Sequence, residues 1–279
     1  MIAEIIKFVI YSVLIVIISK YILVRLLRLI AEKLNLKSKT VGQIAGVATS
    51  VPELLTITFS AVTGFIETSI YNVLSSNIIN VAQYSIAIVI NKNVKHLSNK
   101  ALKIDLVLVL LTILIPIMLL ITNIQIDVKI LPILIILFIM CVIINNNTHK
   151  LYLENEGTME NEIISENKGR KDSSILKYIL YLIITSIVLF VVGNLLGESL
   201  ERLCKIFNVK ESVMGILLGI ITSLPELITF FESQKHHKNN NNEKLGVVEA
   251  TNNLVTSNVL NLFVIQSLGI IVYTIFSWK

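Results

Sequence analysis

Apolar residues along this chain come in long blocks, not in the alternating or one-sided patterns of a soluble fold. Eight blocks predict helices at about 5–30, 40–65, 69–90, 102–122, 127–145, 175–203, 212–232 and 246–276. Each is long enough to cross the roughly 30 Å hydrocarbon core of a bilayer. The first block is too long for a removable signal peptide and has no small-residue cleavage site, so it is read as a retained membrane helix. The expected fold class is all-α: a polytopic membrane protein of about eight transmembrane helices. The longest polar stretch, 146–174, reads as a loop between two halves, 1–145 and 175–279. A shorter polar insert, KHHKNNNN, occupies 235–242.

Polar residues inside the apolar blocks repeat. Residues 42–56, GQIAGVATSVPELLT, match 215–229, GILLGIITSLPELIT, at eight of fifteen positions. The shared residues include Gly42/Gly215, Gly46/Gly219, Thr49/Thr222, Ser50/Ser223, Pro52/Pro225 and Glu53/Glu226. A second element follows each copy: NVLSSNIIN at 72–80 and NLVTSNVLN at 253–261. A carboxylate at bilayer depth is costly and marks a functional position by default. Two matched carboxylates in two related halves are the pattern of an internally repeated transporter.

Composition agrees with a membrane protein. The chain is 54% hydrophobic and 15% charged, with a mean hydropathy of +0.78, against roughly 25% charge in a soluble domain. Its net charge of +5 reports loops, not nucleic-acid binding. With the N-terminus on one side, that side carries six Lys/Arg and the other seventeen, which places the second group in the cytoplasm. Both termini are then extracytoplasmic and 146–174 is cytoplasmic. Five spans precede the second copy's first helix, an odd number, so the copies form inverted-topology repeats. The expected location is the plasma membrane. Trp278 is an expected interfacial anchor.

The repeated segments carry cation chemistry. Proline lacks an N–H, so Pro52 frees the carbonyl of Ala48 and Pro225 that of Ile221; a metal cation is one partner for such a carbonyl. Thr49, Ser50 and Glu53 share one helix face, as do Thr222, Ser223 and Glu226. Asn72, Ser76 and Asn80 form a stripe on the next helix, as do Asn253, Ser257 and Asn261. All these donors are hard oxygens, which suit Ca²⁺ or Na⁺ and disfavour zinc or copper. The bland alternatives are weighed residue by residue. Polar stripes also glue membrane helices together. The Gly42/Gly46, Gly215/Gly219 and Gly193/Gly197 pairs read as close helix packing. Glu67, Glu198, Glu201, Glu232 and Glu249 lie near span ends and read as solvated. His236 and His237 read as loop residues, and Cys141 and Cys204 as small hydrophobes.

The T-S-V-P-E at 49–53, T-S-L-P-E at 222–226 and the two Asn-rich elements resemble the sodium/calcium exchanger superfamily, the cation/Ca²⁺ antiporters. The resemblance implies that Glu53 and Glu226 are shared cation ligands, with Thr49, Ser50, Ser76, Thr222, Ser223 and Ser257 completing the Na⁺ and Ca²⁺ sites. Carbonyls of Ala48 and Ile221 and the amides of Asn80 and Asn261 join the candidate set. The family usually has five spans per repeat, so the second repeat is expected to lack its last two helices. Position 261 is often Asp in the family and is Asn here. The expected function is secondary active antiport of Ca²⁺ or a similar cation against Na⁺ or H⁺ by alternating access. The alternatives are a degenerate, non-transporting homologue acting as an assembly partner and a passive cation channel. No enzymatic activity and no cofactor are expected. The expected partners are cations, lipid and a second copy covering the face the missing helices would pack against.

Overall fold

The computed structural model describes residues 2–34, 36–62, 64, 66–122, 127–152, 175–239 and 242–277. Among these, helices account for nearly everything and no strand occurs. Helix α1 (Ile2–Ile18) passes through a π turn at Ser19–Leu23 into α2 (Val24–Leu34). Next come α3 (Ser38–Thr49), α4 (Val51–Val62), α5 (Ile66–Ile90), α6 (Lys100–Ile121) and α7 (Leu131–Tyr152). The second half holds α8 (Ile175–Phe207), α9 (Glu211–Thr222), α10 (Leu224–Asn239), α11 (Glu243–Val259) and, after a π turn at Leu260–Ile265, α12 (Gln266–Ser277).

Among the described residues seven helical stretches are long and apolar enough to cross a membrane, from Ser38–Val62 to Glu243–Phe276. The N-terminal helix, predicted as a span over 5–30, is not among them. Its apolar part, α1, has 17 residues, and α2 carries Arg25, Arg28 and Lys33. It nevertheless lies along α8 from end to end. Ser199 Oγ donates to the Glu4 carbonyl at 3.1 Å at one end, and Lys33 sits 5.1 Å over the Tyr178 ring at the other.

Two polar segments behave differently from expectation. The start of the predicted 146–174 loop is helical, because α7 runs on to Tyr152. The start of the 235–242 insert is helical too, since α10 continues to Asn239. Residues 153–174 and Trp278 lie outside the described residues. Cys141 is a buried free thiol, as read, and the Cys204 side chain lies outside those described.

Glycines set how the two halves meet. A Cβ on Gly42 would run into the Glu249 carbonyl, and one on Gly46 would stand 2.8 Å from both the Asn253 carbonyl and Thr256 Cβ. Going up α3 therefore goes up α11, and the two run side by side in the same direction. In the other half, Gly215 meets Thr68 and Asn72, and Gly219 meets Asn72, Ser75 and Ser76. So α9 and α5 also run in the same direction. Because α4 turns back into α5, α3 and α9 run oppositely through the molecule, and each half's broken helix packs on the other half's unbroken one. Gly193 and Gly197 do not share this role. Their nearest neighbours would be 3.8 Å and 4.0 Å from a Cβ, ordinary van der Waals contact, which overturns the close-packing reading for that pair.

The apolar core lies around α5, α6, α10 and α11, with Tyr84, Leu102, Phe230, Leu254 and Phe263 fully buried. A second cluster joins α1–α2 to α8 through Ile15, Leu23, Leu27, Leu189 and Leu196. Ile135, Ile139, Ile183 and Ile187 are among the large apolar residues left on the outer surface of α7 and α8. That surface suits acyl chains, which need no polar covering.

Candidate functional site

The two T-S-x-P-E segments break their helices in the same way. Ser50 separates α3 from α4 at φ −80°, ψ 0°, and Ser223 separates α9 from α10 at the same angles. Pro52 and Pro225 have no N–H to donate to the carbonyls of Ala48 and Ile221, four residues earlier, so that helical bond is missing at each break. The threonine hydroxyls bond backward. Thr49 Oγ1 donates to the Ala45 carbonyl at 2.9 Å, and Thr222 Oγ1 to that of Leu218 at 3.0 Å. With its proton committed, each hydroxyl offers only lone pairs to its surroundings.

Glu53 and Glu226 follow the prolines in the first turns of α4 and α10, and both are 0% exposed. They face each other, and each also faces a hydroxyl of the opposite copy. Thr222 and Ser223 lie beside Glu53; Thr49 of the opposite copy and Ser257 of its own copy lie beside Glu226. Ser257 Oγ donates to Glu226 Oε1 at 3.0 Å. Both Glu53 oxygens, Glu226 Oε2 and Ser223 Oγ have no hydrogen-bond partner. Buried oxygens left unpaired at such density need an explanation.

The Asn-rich elements of α5 and α11 complete the cluster. Asn72 Nδ2 donates to Thr56 Oγ1 at 2.7 Å, and Asn253 Nδ2 donates to Thr229 Oγ1. These matched bonds tie each element to the helix that carries its own copy's glutamate. Ser76 Oγ reaches Asn72 Oδ1 at 3.2 Å and the Gly219 carbonyl at 3.4 Å. Ser50 Oγ and Ser257 Oγ are 3.1 Å apart, joining the two copies directly.

At the centre Asn77 and Asn258, matched positions, clasp each other. Asn77 Nδ2 donates to the Asn258 carbonyl at 3.3 Å, and Asn258 Nδ2 to the Asn77 carbonyl at 3.1 Å. Their side-chain oxygens accept in turn from Asn261 Nδ2, at 3.3 Å, and from Asn80 Nδ2, at 3.0 Å. Asn80 Nδ2 is also 3.2 Å from Ser257 Oγ. This leaves Oδ1 of Asn80 and of Asn261 buried and unpaired. The sequence reading passed over Asn77 and Asn258 as site residues because they fall off the four-residue stripe. The signal was their identity in both copies.

The structure thus brings the predicted side chains of both copies into one buried network. It is made of two carboxylates, hydroxyls and amide oxygens, beside the Ala48 and Ile221 carbonyls that the prolines cannot engage. Among the described residues no group of three His, Cys, Asp or Glu side chains is placed to hold a metal ion. An all-oxygen set with two acids fits a hard mono- or divalent cation as cargo and does not fit zinc or copper.

Two further ionic clusters lie inside the protein. Glu249, read as solvated, is buried instead. Arg28 grips it with two nitrogens, at 2.7 Å and 2.6 Å, and His237 Nε2 is 3.0 Å away. Asp105 on α6 is 0% exposed; it is held by His149 Nε2 at 2.6 Å and Asn145 Nδ2 at 2.8 Å, both from α7. Sequence spacing carried no sign of either partnership, since the partners are 221 and 44 residues apart. Glu67 is exposed, as expected, and Glu198 and Glu201 pair with Arg202 and Lys205 near the end of α8.

The model of one protein family, "Sodium/calcium exchanger protein", matches residues 5–146 and 177–278. Solved structures of the sodium-calcium exchanger NCX_Mj share the fold. The one soaked with 100 mM Na⁺ and 10 mM Sr²⁺ superposes with a TM-score of 0.61 at 17% identity, over 98% of this chain and 83% of that one. The one soaked with 10 mM Na⁺ and zero Ca²⁺ gives 0.60 at 19% identity, over 98% and 84%. No curated protein sequence matches the chain.

Proposed function

Since this chain belongs to the sodium/calcium exchanger protein family, whose general activity is cation antiport, we propose that it exchanges Ca²⁺ or a similar divalent cation for Na⁺ or H⁺ by alternating access. One observation carries the reading. Glu53 and Glu226 face each other, fully buried, with three of their four oxygens unpaired, where two proline-broken helices of opposite direction meet. A lone carboxylate in a membrane core can be a structural hydrogen-bonding group. Two matched carboxylates ringed by outward-facing lone pairs form a cation cage.

Glu53, Glu226, Thr49, Ser50, Thr222, Ser223, Ser76, Ser257, Asn80 and Asn261 are the proposed ligand side chains, with the carbonyls of Ala48 and Ile221. Every one of these side chains is at most 2% exposed. Release to either side therefore needs a rearrangement, which supports alternating access over an open pore. Exchange follows from competition, because the same oxygens cannot hold both cargoes together. The Lys/Arg bias supports a cytoplasmic position for 146–174 and an extracytoplasmic one for both termini.

The test is ⁴⁵Ca²⁺ uptake into proteoliposomes holding the purified chain. Uptake should require an opposing gradient of Na⁺ or H⁺ and vanish in Glu53→Gln and Glu226→Gln. Uptake that proceeds without a counter-cation would identify a passive channel, and wild-type exchange in either mutant would remove the glutamates from the site.

A further inference from the structure

We propose that a pair of rings, Tyr84 and Phe230, is the gate that closes the cation site toward the cytoplasm. The inference rests on the exchange reading above and names the side chains that part when cargo leaves on that side.

Helix α5 runs with α9, and α9 continues past Ser223 into α10, so α5 and α10 point the same way. On α5, Tyr84 stands one turn beyond Asn80; on α10, Phe230 stands one turn beyond Glu226. Both rings therefore lie just past the site on one side, the side that the Lys/Arg bias makes cytoplasmic. They meet edge to face, with centroids 5.8 Å apart and planes at 84°, and both are fully buried. One ring comes from each half, so a shift of one half against the other separates them.

Polar groups resume beyond the rings. Gln234, the next turn of α10, is fully buried and accepts from Asn93 Nδ2 at 3.0 Å, while Asn93 Oδ1 has no partner. Then comes His237, on the Glu249–Arg28 pair. From the site outward, this line of α10 reads Glu226, Phe230, Gln234, His237: a polar route interrupted by a ring. A cation leaving Glu226 along it finds at the ring pair no oxygen to replace the ligands it gives up. A dry apolar constriction of this kind stops ions without any charged barrier. Tyr84 Oη is 2.7 Å from Thr251 Oγ1 on α11, which anchors that ring. Phe230 has no polar handle and is the ring that moves.

The opposite side is built alike. Ile57 is the repeat's counterpart of Phe230, one turn after Glu53 on α4, and is 0% exposed. It packs on α12 so closely that a Cβ on Gly269 would be 2.7 Å from Ile57 Cγ2. A buried apolar side chain one turn outside the glutamate thus recurs in both copies, which core packing alone does not require.

The experiment is ⁴⁵Ca²⁺ uptake into proteoliposomes holding the full chain, with and without an opposing Na⁺ or H⁺ gradient. Phe230→Ala and Tyr84→Ala should lose the counter-cation requirement and take up Ca²⁺ equally in both conditions, because a site always open to one side leaks whenever the other side opens. Both should keep the Ca²⁺-dependent rise in unfolding temperature, since the ligands are untouched. Phe230→Leu and Tyr84→Phe keep an apolar cap and should stay coupled. Leu102→Ala, a truncation at another fully buried position of the same core, should stay coupled too. Phe230→Val, a milder truncation that should leak in part, carries the test where alanine does not fold. Truncated variants that still require a counter-cation, or a Leu102→Ala variant that leaks as they do, overturn the gate. Uptake by the wild type without a counter-cation overturns the exchange reading instead.

Discussion

Gly219 offers a sharp test of how the crossing of the two halves builds the site. Replacing it with alanine puts a Cβ on top of Ser75 Oγ and 2.8 Å from both the Asn72 carbonyl oxygen and the Ser76 nitrogen. Two of these three atoms are backbone and cannot rotate away, so α9 and α5 must separate by several tenths of an ångström. Overpacking of this kind costs about 1–3 kcal/mol. The intrinsic gain from glycine to alanine in a helix is about 1 kcal/mol in the other direction. Gly197→Ala isolates that gain, because its new Cβ would find its nearest neighbour, Thr56 Cγ2, at 4.0 Å. The two variants should thus differ in stability by about 1–3 kcal/mol, with Gly197→Ala the more stable. Thermal unfolding in one detergent, followed by the loss of the monodisperse peak, reads the difference. Separation of α9 from α5 also moves the Gly219 carbonyl away from Ser76, so Gly219→Ala should slow ⁴⁵Ca²⁺ exchange while Gly197→Ala leaves it near wild type. Equal stability and equal exchange in both variants would refute the claim that glycine is there for close approach.

Three further outcomes follow from the same geometry. Arg28→Ala leaves Glu249 buried without its main partner and should cost about 3–5 kcal/mol of stability, most of it recovered in the Arg28→Met/Glu249→Met double variant; chemical unfolding of both checks this. Asn77→Ala removes the acceptor that holds Asn261 and should weaken Ca²⁺ affinity by about tenfold, the loss of one hydrogen bond worth about 1–1.5 kcal/mol, as read by the half-saturating Ca²⁺ concentration for uptake. Added Ca²⁺ at about a hundred times its dissociation constant should stabilise the wild type by about 2.7 kcal/mol against unfolding, and Glu53→Gln should abolish that stabilisation while remaining folded.

Much of this protein is readable from its residues alone, and the reason is its internal repeat. A single T-S-x-P-E could be an accident of composition, but two copies with matching Asn-rich followers point to one site built twice. The all-helical membrane fold, the carbonyls left without a donor by Pro52 and Pro225, the close approach at Gly42, Gly46, Gly215 and Gly219, and the pairing of Glu53 with Glu226 were legible in that way, while the breaks at Ser50 and Ser223 fall inside stretches read as continuous helices. The proline and glycine features depend on local chemistry, a missing N–H or a missing Cβ, that holds wherever the segment is placed, and the pairing of the glutamates follows from the repeat itself.

Tertiary structure decided what depends on contacts between distant segments. Glu249 lies near a span end, where solvent is the default partner, yet Arg28 from the first helix buries it. His149 belonged by composition to a polar loop, but α7 continues far enough to deliver it to Asp105. Gly193 and Gly197 have the spacing of a tight crossing and make none, because α4 presents them only Leu55 and Thr56 at ordinary distance. In water, the polar face of a helix tells which side is out. In lipid both sides can be apolar, so helices such as α7 and α8 carry no such label, and only packing settles which face meets a neighbour.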